Sequence, residues 1–246
     1  DVCSSDLEWK MTETSFKVGP SFSRLGQRML TIIGQYWASC RHTHPSADAL
    51  LALLTRHRIA TAQIKSITAH VYQAALDVLS PAEAARTVHE SKFSMGFVLA
   101  VMAKKRSALL NDFDDAALLD PQIRALQSRV TMVHDEDIQA EYPQRWVRFS
   151  SFFWAGAKES AKLIGSATST GQVGHVFVET VDGKKFDERV VAVKGDPDNT
   201  LSREEIMIKG RSLAAFGGSS FVGDRLEKLF EDAWRMEELK GMRLMD

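Results

Sequence analysis

Val176-Phe177-Val178-Glu179-Thr180-Val181-Asp182-Gly183, continued by Phe186 to Val193, is the stretch that decides the fold. Two runs rich in β-formers flank Asp182-Gly183, a dipeptide whose backbone accepts the left-handed geometry of a hairpin turn. The pattern predicts an antiparallel pair, Val176–Val181 with Phe186–Val193. Upstream, Ile64 to Tyr72 alternates: Ile67, Ala69 and Val71 share one side, Thr68, His70 and Tyr72 the other, as in a half-buried strand. Arg129 to His134 reads as a further strand.

Helical periodicity surrounds these strands. Leu50, Leu51, Leu53 and Leu54 belong to a helix that opens at Pro45, a proline tolerated in a first turn, with Ser46 as a second candidate cap. Arg56-His57-Arg58 suits its C-terminal end through the dipole. Phe93, Phe97, Val98, Val101 and Met102 predict one buried helix over Ser91–Lys105. Asp114–Leu119 and Pro121–Ser128 read as short helices. After the turn-rich Gly195-Asp196-Pro197-Asp198-Asn199, Ser202 and Glu205 form a capping box that starts a helix reaching about Ala215. A last amphipathic helix, Asp224–Leu239, carries Leu226, Leu229, Phe230, Ala233 and Trp234 on one stripe. Strands in the middle and helices at the end make an α+β unit with an antiparallel sheet, followed by a helical segment.

The charge balance of this 246-residue chain, 31 basic against 32 acidic residues, gives no electrostatic case for a nucleic acid or an anionic membrane surface. Its 2 cysteines cannot build a disulfide framework, so a reducing compartment is expected. No apolar run is long enough to span a bilayer, and Asp1 to Asp6 has neither the basic nor the apolar region of a secretory signal.

Chemistry concentrates in Ser39-Cys40-Arg41-His42-Thr43-His44-Pro45, which ends where a helix begins. A helix start presents unpaired N–H groups and the positive end of the dipole, so a guanidinium, two imidazoles, a thiol and a hydroxyl there suit a carboxylate ligand. The plain alternative is a loop in which histidines separated by one residue have no ligand. His42 and His44 on one strand face are too few for zinc, which takes three or four protein ligands, and there is no HExxH or CxxC, so no metal is expected.

Several segments together resemble the MmgE/PrpD family, which includes 2-methylcitrate dehydratase and cis-aconitate decarboxylase. They are Ser39–Leu54, Glu90–Ala100, Asn111–Leu126, Glu141-Tyr142-Pro143-Gln144-Arg145-Trp146, the hairpin around Asp182-Gly183, and Lys194–Gly218, in the family's order and rough spacing. The resemblance implies the C-terminal part of a longer protein. In that reading residues 17–198 are the family's smaller α+β domain, 199–246 are closing helices of its large all-α domain, and 1–16 are an N-terminal remnant. The N-terminal half, which supplies most of the acid, base and substrate contacts, is then the absent partner, and the full-length form is a homodimer. The compartment implied is the cytoplasm or the mitochondrial matrix.

Two segments depart from the family pattern. Val18 to Gln35 separates Ser15-Phe16-Lys17 from Tyr36-Trp37-Ala38, and Val147 to Gln172 separates Trp146 from Val173-Gly174-His175. Each begins with Val and ends with Gln, as an unspliced intron bounded by GT and CAG reads in frame, which suggests a eukaryotic gene, fungal for example, translated without splicing. The alternative is two ordinary surface loops, whose closure entropy grows only slowly with length. Asp1 to Leu7 resembles a translated sequencing-adapter remnant.

Dehydration of a hydroxylated tricarboxylate needs proton abstraction beside a carboxylate, protonation of the departing hydroxyl, and cations that hold the carboxylates. The resemblance implies that Lys17 and His44 are catalytic, and that Cys40, Arg41, His42, Thr43 and Lys92 bind substrate. It implies no cofactor, because the family works without an iron-sulfur cluster or an obligatory metal. Phe97 falls where decarboxylases place an active-site tyrosine and Cys40 where some have a histidine, which points to a hydro-lyase of the 2-methylcitrate dehydratase kind rather than a decarboxylase. The expectation is a lyase fragment for a small di- or tricarboxylate, inactive alone. A decarboxylase or an epimerase/racemase branch, and a non-catalytic dimerisation or binding domain, are the alternatives.

Overall fold

The computed structural model describes residues 36–79, 85–142, 172–196, 199–217 and 223–234. Four strands form an open sheet in the order β2-β1-β3-β4: β1 Ile64–Val71, β2 Val130–His134, β3 Gly174–Thr180 and β4 Lys185–Val190. The fold class is α+β, as the sequence predicts. The sheet is mixed rather than antiparallel, because β1 runs parallel to β2 and antiparallel to β3. The physical reason lies in the connection: β1 reaches β2 only through a run of helices, and such a crossover returns the chain in the same direction. The hairpin β3–β4 is antiparallel, with Val176 opposite Glu188 and Val178 opposite Phe186. Its turn closes through Gly183 N–H to the Thr180 carbonyl, with Gly183 at φ 81.

Alternation decides which face of the sheet is covered. Ile67, Ala69, Val71, Val176 and Val178 are buried beneath the helices, while His70, His175 and Phe177 stand on the opposite, open face. Helix α1, His44–Arg56, packs on β3 and β4. Its Leu50, Leu53 and Leu54 are fully enclosed, each such side chain contributing roughly 1.5–3 kcal/mol. Two short helices follow β1: α2 Gln73–Val78 and α3 Val88–Ser91.

The helix expected over Ser91–Lys105 starts later, as α4, Met95–Lys105, while α3 ends at Ser91. Ser94 is the cause, since its hydroxyl accepts from Phe97 N–H and caps a new helix start. Helix α4 is buried along almost its whole length and joins α1 to α6. Helices α5, Asp115–Leu119, and α6, Pro121–Gln127, form within one residue of the expected bounds, and the structure shows them capped by Asp114 and Asp120.

Beyond the sheet, α7, Arg203–Phe216, opens with the Ser202–Glu205 capping box, and α8, Asp224–Trp234, follows. Glu227 accepts two bonds from Arg211 across the pair, at 2.6 and 2.8 Å. Ile208, Leu213 and Phe216 of α7, with Leu229 and Trp234 of α8, are exposed. Among the described residues no helix is long and apolar enough to cross a membrane.

Candidate active site at the entrance to the first helix

A 3-10 turn, Arg41–Thr43, leads directly into α1. Its hydroxyls lock it from inside: Thr43 donates to the Cys40 carbonyl at 2.7 Å, so the Ser39 hydroxyl, 2.8 Å away, donates to Thr43. The first turn of the helix is not an open anion cradle. His44, Pro45 and Ser46 are buried, and Gly174 of β3 lies so close that a Cβ there would stand 2.8 Å from Pro45 and 2.9 Å from Ser46 N. The side chains of the preceding turn, rather than the helix N–H groups, carry the polar chemistry.

Three distant segments fix that turn. Arg41 forms an ion pair with Asp196, whose other oxygen accepts from Val193 N–H at 3.3 Å. Gly195, at φ 94, donates its N–H to the Asn199 carbonyl, and the neighbouring Asp196 is buried. His42 Nδ1 hydrogen-bonds the hydroxyl of Tyr72, the residue just after β1. Cys40 N–H donates to the Lys92 carbonyl at 2.8 Å, which brings the loop between α3 and α4 against the turn. Cys40 is half-buried and not in a disulfide. Cys40, Arg41, His42 and Thr43 are consecutive in the chain, and Lys92 meets them through its backbone carbonyl.

Beneath them, Asp48 on α1 accepts from Trp37 Nε1 at 2.6 Å and from Lys194 N–H at 2.7 Å. Burial raises its carboxyl, and those two donors and the Lys194 and Arg41 charges work the other way. Lys194 pairs with Glu205 of α7 and stands over the Tyr36 ring at 5.0 Å, so the closing helix is tied to the same corner. Lys209 of α7 is close enough for its charge to act on His44, and burial lowers its ammonium.

His44 is fully enclosed, and its Nε2 lies 3.1 Å from the Ser39 carbonyl. A carbonyl only accepts, so Nε2 carries the proton. Burial first, and the Arg41 and Lys209 charges after it, lower the imidazole to about 3, so the ring is neutral at neutral pH. Burial also lowers His42. Among the described residues no group of three or more His, Cys, Asp or Glu is placed to hold a metal ion.

The C-terminal domain of the MmgE/PrpD family matches residues 37–234. The chain belongs to the MmgE/PrpD family. The matched span takes in the sheet, the turn at Arg41–Thr43 and both closing helices. Membership places the chain in a family generally of lyase and dehydratase type. No curated protein matches the chain.

Lys17 lies outside the described residues, as do residues 18–35 and 147–171 of the two segments that depart from the MmgE/PrpD pattern. Phe97 is in the core, with its ring 6.3 Å from that of Phe113. Three residues of the site escape sequence reasoning. Asp196 reads as part of a boundary turn, yet it is 2% exposed and holds Arg41. Tyr72 falls on the open side by alternation, but the strand ends at Val71 and the chain turns Tyr72 inward. Asp48 interrupts the apolar run of α1, and an acid inside such a run is the one local signal of a partner.

Proposed function

We propose that this MmgE/PrpD chain is part of a hydro-lyase for a small di- or tricarboxylate, of the 2-methylcitrate dehydratase kind, and that the Arg41–Thr43 turn is one wall of its substrate site. The observation that carries the reading is the turn itself, where Arg41 and His42 stand side by side and are held by Asp196 and Tyr72. A guanidinium and an imidazole held on one turn suit a planar carboxylate. In this reading Lys17 and His44 move protons in the assembled enzyme. His44 is neutral in the domain as described, so a proton-carrying role requires the N-terminal half of the protein to change its surroundings. That half is the proposed partner, and the chain alone is proposed to be inactive.

Calorimetric titration with citrate and 2-methylcitrate tests the wall. Binding weakened about tenfold or more in Arg41→Gln, the loss of one charge-assisted hydrogen bond, supports it. Wild-type binding with no change in Arg41→Gln or His42→Gln overturns it. Dehydration of 2-methylcitrate by the chain alone removes the inactivity; turnover appearing only when the N-terminal half of a family member is added supports the divided site.

A second reading, a binding or dimerisation domain, is favoured by one observation. Helices α7 and α8 expose Ile208, Leu213, Phe216, Leu229 and Trp234, apolar side chains that association covers. Sedimentation distinguishes the two, since a dimer that binds no polycarboxylate fits only the second.

A further inference from the structure

The His42 ring can either give or take a hydrogen bond at each nitrogen, and the direction depends on which of the two carries the proton. Its Nδ1 meets the hydroxyl of Tyr72, and its Nε2 has no hydrogen-bond partner among the described residues. Tyr72 is 1% exposed and its ring cannot swing away. It stacks on Tyr142 with centroids 3.9 Å apart and planes 11° from parallel, and meets the His42 ring edge-on at 5.6 Å and 62°.

The Tyr72 hydroxyl has one proton to give and must place it, because a buried donor without an acceptor is costly. The side chain of Gln172, itself buried, lies near enough to act on the same hydroxyl, in the direction that lowers it. Among the described residues the acceptor at hydrogen-bond distance from the hydroxyl is His42 Nδ1.

We propose that Tyr72 is the positioning residue of His42: its hydroxyl donates to Nδ1, fixes the neutral Nε2–H tautomer, and leaves Nε2–H as a donor to a bound carboxylate or hydroxyl. Two further observations agree. Burial, reinforced by the nearby Tyr142 and Cys40, raises the Tyr72 hydroxyl and outweighs Arg41 and Gln172, so the group keeps its proton. Burial also holds His42 neutral, the state in which tautomers matter. The specificity that follows is chemical: the site prefers a ligand oxygen that accepts at His42, and a neutral ring offers one N–H there. The role at a substrate rests on reading the turn as a carboxylate wall, but the tautomer does not.

The test is nitrogen NMR on the 246-residue chain labelled at histidine, with His42 identified among the 7 histidines by the signal lost in His42→Gln. At neutral pH the expected result is a single Nε2–H tautomer for His42. In Tyr72→Phe, which keeps the stacked ring, that single state is expected to give way to a mixture or to Nδ1–H, and the His42 titration midpoint is expected to rise because the neutral form has lost a donor. An Nδ1–H tautomer in the wild type overturns the proposal, as does an unchanged tautomer in a folded Tyr72→Phe; the wild-type spectrum decides alone if that variant does not fold. Citrate binding is read separately. A fixed Nε2–H ring in a chain that binds no polycarboxylate leaves the Tyr72 assignment standing and removes the carboxylate wall.

Discussion

Arg41 and Asp196 lie 155 residues apart in the chain and form an ion pair whose side chains are 15% and 3% exposed. The pair joins the turn before α1 to the loop after β4, so the site and the fold share one anchor. Removing one partner strands the other charge in a mostly dry setting, and the cost of that is far above the value of a surface pair. Asp196→Ala is expected to lower unfolding stability by about 3–5 kcal/mol, read from urea denaturation. Replacing both residues, Arg41→Met with Asp196→Leu, is expected to cost less than Asp196→Ala. A double variant as weak as the sum of the single ones contradicts the pairing.

Gly174 is required by close approach rather than by an unusual backbone angle. A Cβ would meet Pro45 Cβ at 2.8 Å and the Pro45 carbonyl carbon at 2.9 Å. Those atoms belong to the first turn of α1 and have no free rotation with which to yield, so strand and helix must move apart. Gly174→Ala is expected to destabilise the domain by about 1–3 kcal/mol, despite the gain an alanine usually brings to a strand by restricting the unfolded chain. Thermal and urea unfolding measure it. A neutral result places β3 further from α1 than the structure has it.

Trp37 and Asp48 form a short link between the segment before the turn and the body of α1. Nε1–H donates to Oδ1 at 2.6 Å, with Trp37 only 4% exposed. Trp37→Phe keeps most of the apolar contact and removes the donor, which leaves the raised Asp48 carboxyl with Lys194 N–H as its remaining hydrogen-bond donor among the described residues. The expected loss is about 1.5–3 kcal/mol, the value of a hydrogen bond to a charged group. Asp48→Asn in the Trp37→Phe background is expected to recover part of it, and equal unfolding midpoints for the two variants argue against the link.

What was legible in the sequence follows from how local each signal is. The Asp182-Gly183 turn, the Ser202–Glu205 box and the Asp120-Pro121 helix start each lie within a few residues, and each appears where the pattern puts it. The later start at Ser94 was hidden because one capping serine outweighed a helical stripe that continues on both sides. The parallel pairing of β1 with β2 depends on the path of the helices between them, which periodicity does not contain. At the site, the contiguous cluster Cys40 to Thr43 was readable as chemistry and Lys92 through resemblance. Asp196 and Tyr72 were not, because each acquires its role only when the chain brings it to Arg41 or His42 from far away. The anion reading of the helix start failed for a related reason: strand β3, with Gly174, covers it.

The state of His44 makes stability depend on pH in a defined window. In the unfolded chain the imidazole takes up its proton near 6.5, and in the folded domain only near about 3. Between those values the unfolded state binds more protons, so stability increases as pH rises through the window and is fully present above 6.5. Acidification to about 3 therefore removes on the order of 4 kcal/mol through this one fully buried group. Asp120 and Asp135, whose carboxyls are held low by Lys104 and by the Ile138 N–H respectively, lose stability in the same direction, so the total slope is not His44 alone. His44→Gln separates them, because the amide can still donate to the Ser39 carbonyl but does not titrate. Urea unfolding at a series of pH values is expected to give a shallower acid limb for His44→Gln than for the wild type, with the two curves drawing together toward pH 3. Parallel curves across the window mean that His44 is already able to take a proton in the folded domain, which is the condition a proton-carrying role requires.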